Sequence, residues 1–353
     1  MRRSRWLGTA RHGRRRAAGL AAAMVPVAAL LAGLSLAACG TRAGPAVAGA
    51  TAAAADPELV AIAGHGSASR IELVSARTGR VAKVLAGGGT GNGFALSPDA
   101  KDVYVVGSAG HAVEVRRISV ATGKVSFVAE GACPAVSPDG RYLAYATGSG
   151  FSKLAVRDLR SGHVRVADLR SLLGNGGNLL NQGQVTWLGD GNELIVVPGI
   201  TASEAAATLT ANTGAGTAGI DQVPPGRQSL IVVKLRPDGL AVRKILVPDP
   251  YQDPSLLVSG DLSQQRAVLI ARMGYAEAGT ITRVSLSGDG YKTSVVAKLP
   301  RGLMPITIAP HGDRVLYLVG HSLWVAAING GSLTGKHRLI AGTSKFGFDQ
   351  AAW

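Results

Sequence analysis

The sequence feature that most constrains the fold is a short phrase that recurs after about 40 residues. "FALSPDAKDVYVVG" begins at Phe94 and "PAVSPDGRYLAYAT" begins at Pro134, and each places Ser-Pro-Asp between two apolar runs. Proline presets a φ near about −65°, aspartate accepts a bond from a nearby amide, and glycine adopts the left-handed conformation. The phrase therefore predicts an antiparallel hairpin, and its recurrence predicts a chain of repeated β units.

Five copies of this inner hairpin are present, the last two of them degenerate. They are predicted over Phe94–Val106, Ala135–Ala146, Val185–Val197, Leu256–Ala271 and Ile306–Val319. Turn geometry alone explains the aspartate found in four of the five copies, so these aspartates are interpreted as structural and not as catalytic or metal-binding groups. The aspartates are Asp99, Asp139, Asp190 and Asp261.

A second type of turn gives an independent count of the units. Six turns follow strand-like runs, and they are Thr78-Gly79, Thr122-Gly123, Ser161-Gly162, Asp238-Gly239, Asp289-Gly290 and Gly330-Gly331. Leu59–Leu85 supplies three strands without an inner strand, and the final "DQAAW" supplies an inner strand with nothing after it. Joined together, these two ends complete a sixth unit.

This pattern predicts an all-β fold, a six-bladed β-propeller over residues 58–353 whose C-terminal strand completes the first blade. The phrases "FALSPDAKDVYVVG", "PAVSPDGRYLAYAT" and "ITIAPHGDRVLYLVG" resemble the WD-repeat-like propeller units of the TolB type. That group is six-bladed and is periplasmic or exported, and the resemblance covers residues 59–353 at the level of the repeat. The resemblance implies the fold, whereas its members range in function from docking platforms to accessory domains of hydrolases.

The N-terminal residues 1–38 have the layout of an export signal. An arginine-rich segment without acidic residues precedes the apolar stretch Ala17–Ala38, which Pro26 interrupts. The stretch ends in Leu36, Ala37 and Ala38 followed by Cys39, which resembles a bacterial lipobox and predicts lipidation of Cys39. An uncleaved transmembrane helix is the alternative, because about 20 apolar residues span a bilayer.

The small residues of 39–57 predict a flexible tether between this anchor and the folded body. We therefore expect a lipid-anchored protein on the extracytoplasmic face of the cell membrane. If Cys39 carries lipid, Cys133 is left alone and no intramolecular disulfide forms, so Cys133 is interpreted as a small buried apolar residue.

The formal charge of +15 overstates how basic the exported protein is. Without the seven signal arginines the chain holds 30 basic and 22 acidic residues, scattered singly or in short pairs. No basic stripe tracks a phosphate backbone, so a nucleic-acid partner is not expected.

The fourth blade departs from the pattern at two insertions. The long one, residues 199–228, is predicted to be either a partner-contacting loop or a flexible insertion, with a short helix over Thr201–Ala211. A smaller insertion, Ser171–Gln182, precedes the same blade and is expected on the opposite face.

The sequence contains no recognisable catalytic constellation. There is no GxSxG pentapeptide, the histidines are dispersed, and the glycine-rich run Ala86–Gly93 does not match a phosphate-binding loop. No metal or other cofactor is expected.

Propellers commonly bind ligands at the mouth of the central channel, where the inner strands begin. The candidate binding residues there are Asn92, Asn181, Gln182, Asp253, Asp349 and Gln350, with Cys133 and Met304 at equivalent positions. We predict a monomeric, non-enzymatic platform that binds an envelope protein or peptide. Binding of a small molecule or glycan, or a lactonase-like hydrolysis, at the channel mouth is the alternative.

Overall fold

Twenty-four strands form six four-stranded antiparallel sheets in the part of the chain that the structure, a computed structural model, describes. The described residues are 58–63, 70–85, 93–109, 112–173, 179, 184–197, 226–249, 257–260, 266–272, 278–288, 290–340 and 348–353. The signal segment, the lipobox with Cys39, the tether and Thr201–Ala211 lie outside these residues.

Each sheet is one blade, named here by its order along the chain and given from its innermost strand outward. The first blade contains β24 (Phe348–Ala352), β1 (Glu58–Ala63), β2 (Arg70–Ser75) and β3 (Val81–Leu85). The second contains β4 (Phe94–Leu96), β5 (Asp102–Ala109), β6 (Ala112–Ser119) and β7 (Val125–Glu130). The third contains β8 (Ala132–Val136), β9 (Tyr142–Thr147), β10 (Lys153–Asp158) and β11 (Val164–Asp168).

The remaining three blades follow the same order. The fourth contains β12 (Gln184–Trp187), β13 (Glu193–Val197), β14 (Gly226–Arg236) and β15 (Gly239–Asp249). The fifth contains β16 (Leu257–Gly260), β17 (Ala267–Arg272), β18 (Gly279–Ser287) and β19 (Gly290–Leu299). The sixth contains β20 (Met304–Ile308), β21 (Arg314–Val319), β22 (Ser322–Asn329) and β23 (Ser332–Ile340).

The hydrophobic core is divided among the contacts between neighbouring blades, here called seams. Each of six buried clusters draws its residues from two successive blades, and one of them joins the sixth blade to the first. The inner strands also contact one another in cyclic order, from β4 through β8, β12, β16 and β20 to β24 and back to β4. The predicted all-β propeller is therefore confirmed, with six sheets among the described residues.

The ring closes through the last strand of the chain. β24 pairs antiparallel with β1, with Ala351 opposite Ala61 and Ala352 opposite Val60. Ala351 and Trp353 pack against the cluster between the sixth and first blades, whereas Ala352 packs against the cluster between the first and second. This confirms that the C-terminal strand completes the first blade, and it places that strand between two seams.

The aspartates of the inner hairpins hold their turns, as predicted. Asp99 Oδ1 accepts hydrogen bonds from Ser97 Oγ at 2.7 Å and from the Lys101 amide at 3.2 Å. Asp139 repeats both bonds with Ser137 and Arg141, and Asp190 accepts one from the Asn192 amide at 3.0 Å. The bond from Ser97 is the main reason why the pKa of Asp99 is below its usual value. Asp261 lies outside the described residues.

Ala100 occupies the place in its turn that glycine fills in the others. Its φ is 53°, whereas Gly140 and Gly191 have φ values of 70° and 68°. A left-handed conformation costs an alanine roughly 1–2 kcal/mol, partly offset by its smaller entropy loss on folding.

We therefore expect Ala100→Gly to stabilise the protein by about 0.5–1 kcal/mol, measured as a higher midpoint of urea unfolding. Gly140→Ala is the matched control and should lower the midpoint, because its φ of 70° strains an alanine. An added Cβ there meets only Pro98, at 3.9 Å, so no collision contributes to the loss. An unchanged or lower midpoint for Ala100→Gly would contradict the assigned turn.

Long basic side chains link neighbouring blades at the outer ends of several seams. Lys83 of the first blade donates to the carbonyls of Val120 and Ala121 in the second. Three further donors do the same at 2.8–3.1 Å: Arg157 to Val128, Lys244 to Leu172, and Arg243 to Gly288. Four cations of the first four blades therefore help to hold neighbouring blades together.

Helical structure is minor in the described residues. A 3-10 turn covers Ser149–Phe151, and α1 (Arg170–Leu173) follows β11. Within the described part of the chain, no helix has the length and apolar character needed to cross a bilayer.

Candidate functional site

The inner strands begin on one side of the propeller, called the mouth face, and the inner hairpin turns lie on the opposite side, called the turn face. On the mouth face, a Cβ added to Gly93 would lie 3.2 Å from the Cα of Cys133, so the starts of β4 and β8 are in contact. The Cys133 thiol donates to the carbonyl of Leu179, which precedes β12, at 3.2 Å. The entries of three successive blades therefore converge, as the predicted channel mouth requires.

Cys133 has an unusual backbone at this position. Its φ is 53°, and Ala132 and Ala135 flank an irregularity in the pairing of β8 with β9. Burial raises the pKa of the thiol to about 12. A thiol with so high a pKa holds almost no thiolate at neutral pH, and the partly buried side chain packs against the cluster between the third and fourth blades. Both observations fit the interpretation of Cys133 as a small apolar residue.

Of the six candidate mouth residues, four lie outside the described part of the chain: Asn92, Asn181, Gln182 and Asp253. The other two are in β24, where only their backbone is described. Gln350 pairs with Ile62 and Phe348 pairs with Ala63. Asp349, between them, is the extra residue of a β-bulge. The proposed ligand contacts of all six residues therefore stay predictions. Met304, at the start of β20, is exposed.

The smaller insertion was predicted on the wrong face. β12 begins at Gln184, which pairs with Val197 at the end of β13. Antiparallel pairing therefore places the start of β12, which follows the smaller insertion, beside the end of β13, which precedes the longer one. Both insertions thus connect to the sheet at its mouth-face end. The smaller insertion also begins with α1, and the longer one ends where β14 begins, at Gly226, three residues before the predicted Ser229.

The mouth-face ends of β14 and β15 extend beyond the rest of their sheet. The two strands pair from Gly226 opposite Asp249 to Arg236 opposite Gly239, whereas β13 pairs with β14 only from Glu193 to Val196. The backbone at Gly226–Ser229 and Leu246–Asp249 thus forms a two-stranded extension beside both insertions.

Two buried carboxylates of the described residues serve the fold. No group of three His, Cys, Asp or Glu residues is placed to hold a metal ion within the described ranges. Amide hydrogen bonds from Ser161 and Arg160, together with Arg141, hold the pKa of Asp158 at about 2. Glu193 is buried against Arg266 of the fifth blade at 2.9 Å. Both carboxylates are therefore held by partners within the fold.

The outermost strands expose an apolar surface that the sequence analysis missed. Of the nine large apolar residues that are exposed in the described part of the chain, six lie on the outer strands β3, β7 and β11 of the first three blades. This group, the apolar flank, consists of Val81, Val84, Val125, Phe127, Val164 and Val166, and Phe127 is the most exposed, at 61 %. In the sequence, the apolar flank could have been found only from the apolar residues in the runs "VSFVAE" and "VRVAD". These runs form outermost strands, and no further strand covers their apolar side chains.

Comparisons with known proteins identify the fold. No protein-family model and no curated protein sequence matches the chain. Among solved structures, TolB from Acinetobacter baumannii is 12 % identical, covers 85 % of this chain and 67 % of its own, and superimposes with a TM-score of 0.55. A chain of the nidogen/laminin complex is 13 % identical, with coverages of 84 % and 97 % and a TM-score of 0.52. At such low identity these likenesses show a shared propeller fold alone.

Proposed function

We propose that this protein is a lipid-anchored propeller on the extracytoplasmic face of the cell membrane, where it binds a protein or peptide partner. The apolar flank is the observation that carries the proposal. Monomeric soluble proteins expose few contiguous apolar patches, and larger ones mark interaction sites. Here the exposed residues gather on three consecutive blades and include an aromatic side chain, a residue type enriched where proteins meet.

The strand arrangement of the flank suits a protein partner. β3, β7 and β11 are edge strands, each paired on one side only in the described sheets. Such an edge leaves backbone donors and acceptors available to an added strand, while exposed side chains between blades offer apolar contact. Binding of protein partners would thus use the backbone for affinity and Phe127 with its neighbouring valines for specificity.

The anchor is proposed from the N-terminal sequence. Lipidation of Cys39, directed by Leu36, Ala37 and Ala38, would fix the protein to the membrane, and the 39–57 tether would hold the propeller away from it. Cys39→Ser should release the protein into the soluble fraction of lysed cells. Retention in the membrane after a carbonate wash would favour the uncleaved helix instead.

Binding of a small molecule or glycan at the mouth face is the second candidate. It is favoured by the pairing of Gln184 with Val197 at that face and by the close approach of Gly93 to Cys133, where β4 and β8 begin. A lactonase-like hydrolysis at the same place is tested by assaying metal-depleted and metal-supplied protein against lactones and esters. Turnover that depends on Asp253 or Asp349 would support it.

The proposed partner binding is tested by crosslinking in intact cells followed by purification of the whole protein. The double variant Val125→Thr/Phe127→Ser should reduce partner recovery at least about tenfold, because interface energy concentrates in a few large side chains. Val295→Thr/Val319→Thr is the matched control, since Val295 is as exposed as Phe127, at 60 %, but lies on the fifth blade. Equal recovery with both double variants would overturn the apolar flank as the binding surface.

A further inference from the structure

The outer hairpin turns of the first three blades share one geometry and carry basic residues. In each turn a glycine amide donates to the carbonyl of the residue that ends the third strand of the blade, at 2.7–2.9 Å. The amide of that same residue donates to the carbonyl of a basic residue, at 2.8–3.0 Å. These basic residues are Arg80, Lys124 and His163; all three are exposed, and each directly precedes an exposed valine of the apolar flank. The apolar flank therefore begins beside basic residues.

The outer strand β7 turns both backbone groups and apolar side chains to its free edge. The Lys124 carbonyl accepts from the Ser119 amide, and ladder bonds alternate along an antiparallel pair, so Lys124 and Ser126 turn their backbone groups toward β6. Val125 and Phe127 therefore turn their N–H and C=O groups away from β6, and the two residues are 46 % and 61 % exposed. The other two strands of the flank have less open edges, because the pairing of β3 shifts register between its exposed valines and β11 lies against β15.

The two sides of β7 differ in character. Val125 is opposite Ile118, which packs into the cluster between the first and second blades, so Val125 and Phe127 face the first blade. Because side chains alternate along a strand, Lys124 faces the third blade, as does Val128, which packs against the cluster between the second and third blades. The free edge thus has an apolar side and a side that begins with a cation.

A second cation borders the same side where the free edge ends. Arg157 Nη1 of the third blade donates to the Val128 carbonyl at 2.9 Å, which brings the third blade against β7 at this point. Arg160 lies three residues further along the chain and is exposed. It follows Leu159, which packs against the same cluster as Val128. Lys124 and Arg160 therefore lie at the two ends of the free edge.

The acidic side chains near β7 leave this positive charge in place. Glu114 is paired with Arg116 at 3.0 Å, and Asp102 is paired with Arg117 at 3.2 Å. Glu130 follows the register shift that ends the free edge. The turns at residues 120–125 and 159–164 contain no Asp or Glu. A strand added to β7 would therefore meet positive charge along its polar side.

We infer that β7 binds an extended segment of the partner protein with the pattern Glu-Val-Thr-Val-Glu. The inference rests on the proposed function and specifies the chemistry of its partner. Residues directly opposite each other in a sheet share a face, so the two valines lie beside Val125 and Phe127, and the two glutamates lie on the side of Lys124 and Arg160. From Lys124 to Val128 the strand rises about 13 Å, which five residues of an added strand match. The pattern reads the same in both directions and so fits either orientation.

The backbone groups at this edge favour a polypeptide over a lipid surface. The apolar side chains of Val125 and Phe127 are on residues whose N–H and C=O groups point outward. The hydrocarbon region of a bilayer has no partner for such groups, whereas an added strand supplies one for each of them. Insertion of this edge into a membrane would therefore cost free energy that pairing with a peptide does not.

The test uses the full-length protein and the fluorescein-labelled peptide GSEVTVESG, with binding followed by fluorescence anisotropy. Lys124→Gln/Arg160→Gln should weaken binding about fivefold, because two complementary exposed charges are lost. Lys292→Gln/Arg338→Gln removes the same charge from exposed positions on β19 and β23 and should leave binding unchanged. The peptide GSQVTVQSG should bind about fivefold more weakly than GSEVTVESG to the unaltered protein, and equally to Lys124→Gln/Arg160→Gln.

Several outcomes would overturn the inference. They are no binding of GSEVTVESG by the unaltered protein, equal binding by both double variants, and equal binding of GSETTTESG, which lacks the valines. Binding of vesicles that contain anionic lipid, in place of the peptide, would assign the surface to a membrane. Self-association in sedimentation velocity that Val125→Thr/Phe127→Ser abolishes, without peptide binding, would assign it to a second copy of the chain. The unfolding midpoint of each variant confirms that it is folded.

The inference and the proposed function can fail separately. If partner recovery from cells depends on Val125 and Phe127 but is unchanged in Lys124→Gln/Arg160→Gln, and the peptide does not bind, the proposed function stands and this inference falls. If both double variants lower partner recovery and the peptide competes with the partner, both stand.

Discussion

Removing Phe348–Ala352 and Trp353 is expected to abolish the single cooperative unfolding transition of the propeller. β24 is the innermost strand of the first blade and lies between two seams, so its loss exposes the edge of β1 and opens both clusters. Trp353 also lies under the guanidinium of Arg314, 4.9 Å from its ring, which links the sixth blade to the first. We expect a loss of about 5 kcal/mol or more, comparable with the whole stability of many domains.

The experiment compares full-length protein with a form ending at Gly347, by urea unfolding followed by circular dichroism. The peptide FDQAAW, added in trans, should restore part of the lost stability, whereas a scrambled peptide should not. Trp353→Phe is the control because it keeps the strand and the ring beneath Arg314 while removing an indole N–H that has no acceptor. It should cost less than about 1 kcal/mol, as volume-conserving changes usually do. An unchanged midpoint after truncation would mean that the ring does not depend on this strand.

The second large effect is expected for Gly79→Ala, at the seam between the first and sixth blades. Gly79 has a φ of 68°, and a Cβ added to it would lie 2.1 Å from the carbonyl oxygen of Leu339. Backbone cannot move aside as a flexible side chain can, so the first blade would have to shift against β23. The overpacking and the left-handed conformation together should cost about 3–4 kcal/mol.

Gly123→Ala is a closely matched control. Gly123 occupies the same Thr-Gly turn in the second blade, with a φ of 71°, but an added Cβ there meets nothing within 4 Å. The Gly123→Ala variant therefore has the same conformational penalty of about 1 kcal/mol, but its added Cβ does not collide with a neighbouring blade. The difference between the two unfolding free energies isolates the contact across the seam. If both glycines respond equally, the first and sixth blades do not meet as the structure places them.

The local patterns were sufficient to predict the blades but not their exposed surfaces. Asp99 and Asp139 were interpreted correctly as turn residues because their hydrogen bonds reach only two residues along the chain. The face of the smaller insertion was predicted incorrectly, because it depends on the pairing of Gln184 with Val197. Phe127 and Val166 follow the same apolar pattern as buried strand residues, so only their position on outermost strands shows that they are exposed.

The repeat, the turn chemistry and the complementary ends of the chain determined by themselves that this protein is a closed propeller. Each of these signals acts between residues that are near in sequence, or between two strands that must pair to complete a blade. The tertiary structure alone decided which cations join neighbouring blades: Lys83 of the first blade donates to the carbonyls of Val120 and Ala121 in the second, whereas Lys292 and Arg338 on the outer strands of the fifth and sixth blades are exposed. Side chains of the same type acquire different roles because the roles depend on distances between blades, which no local pattern encodes.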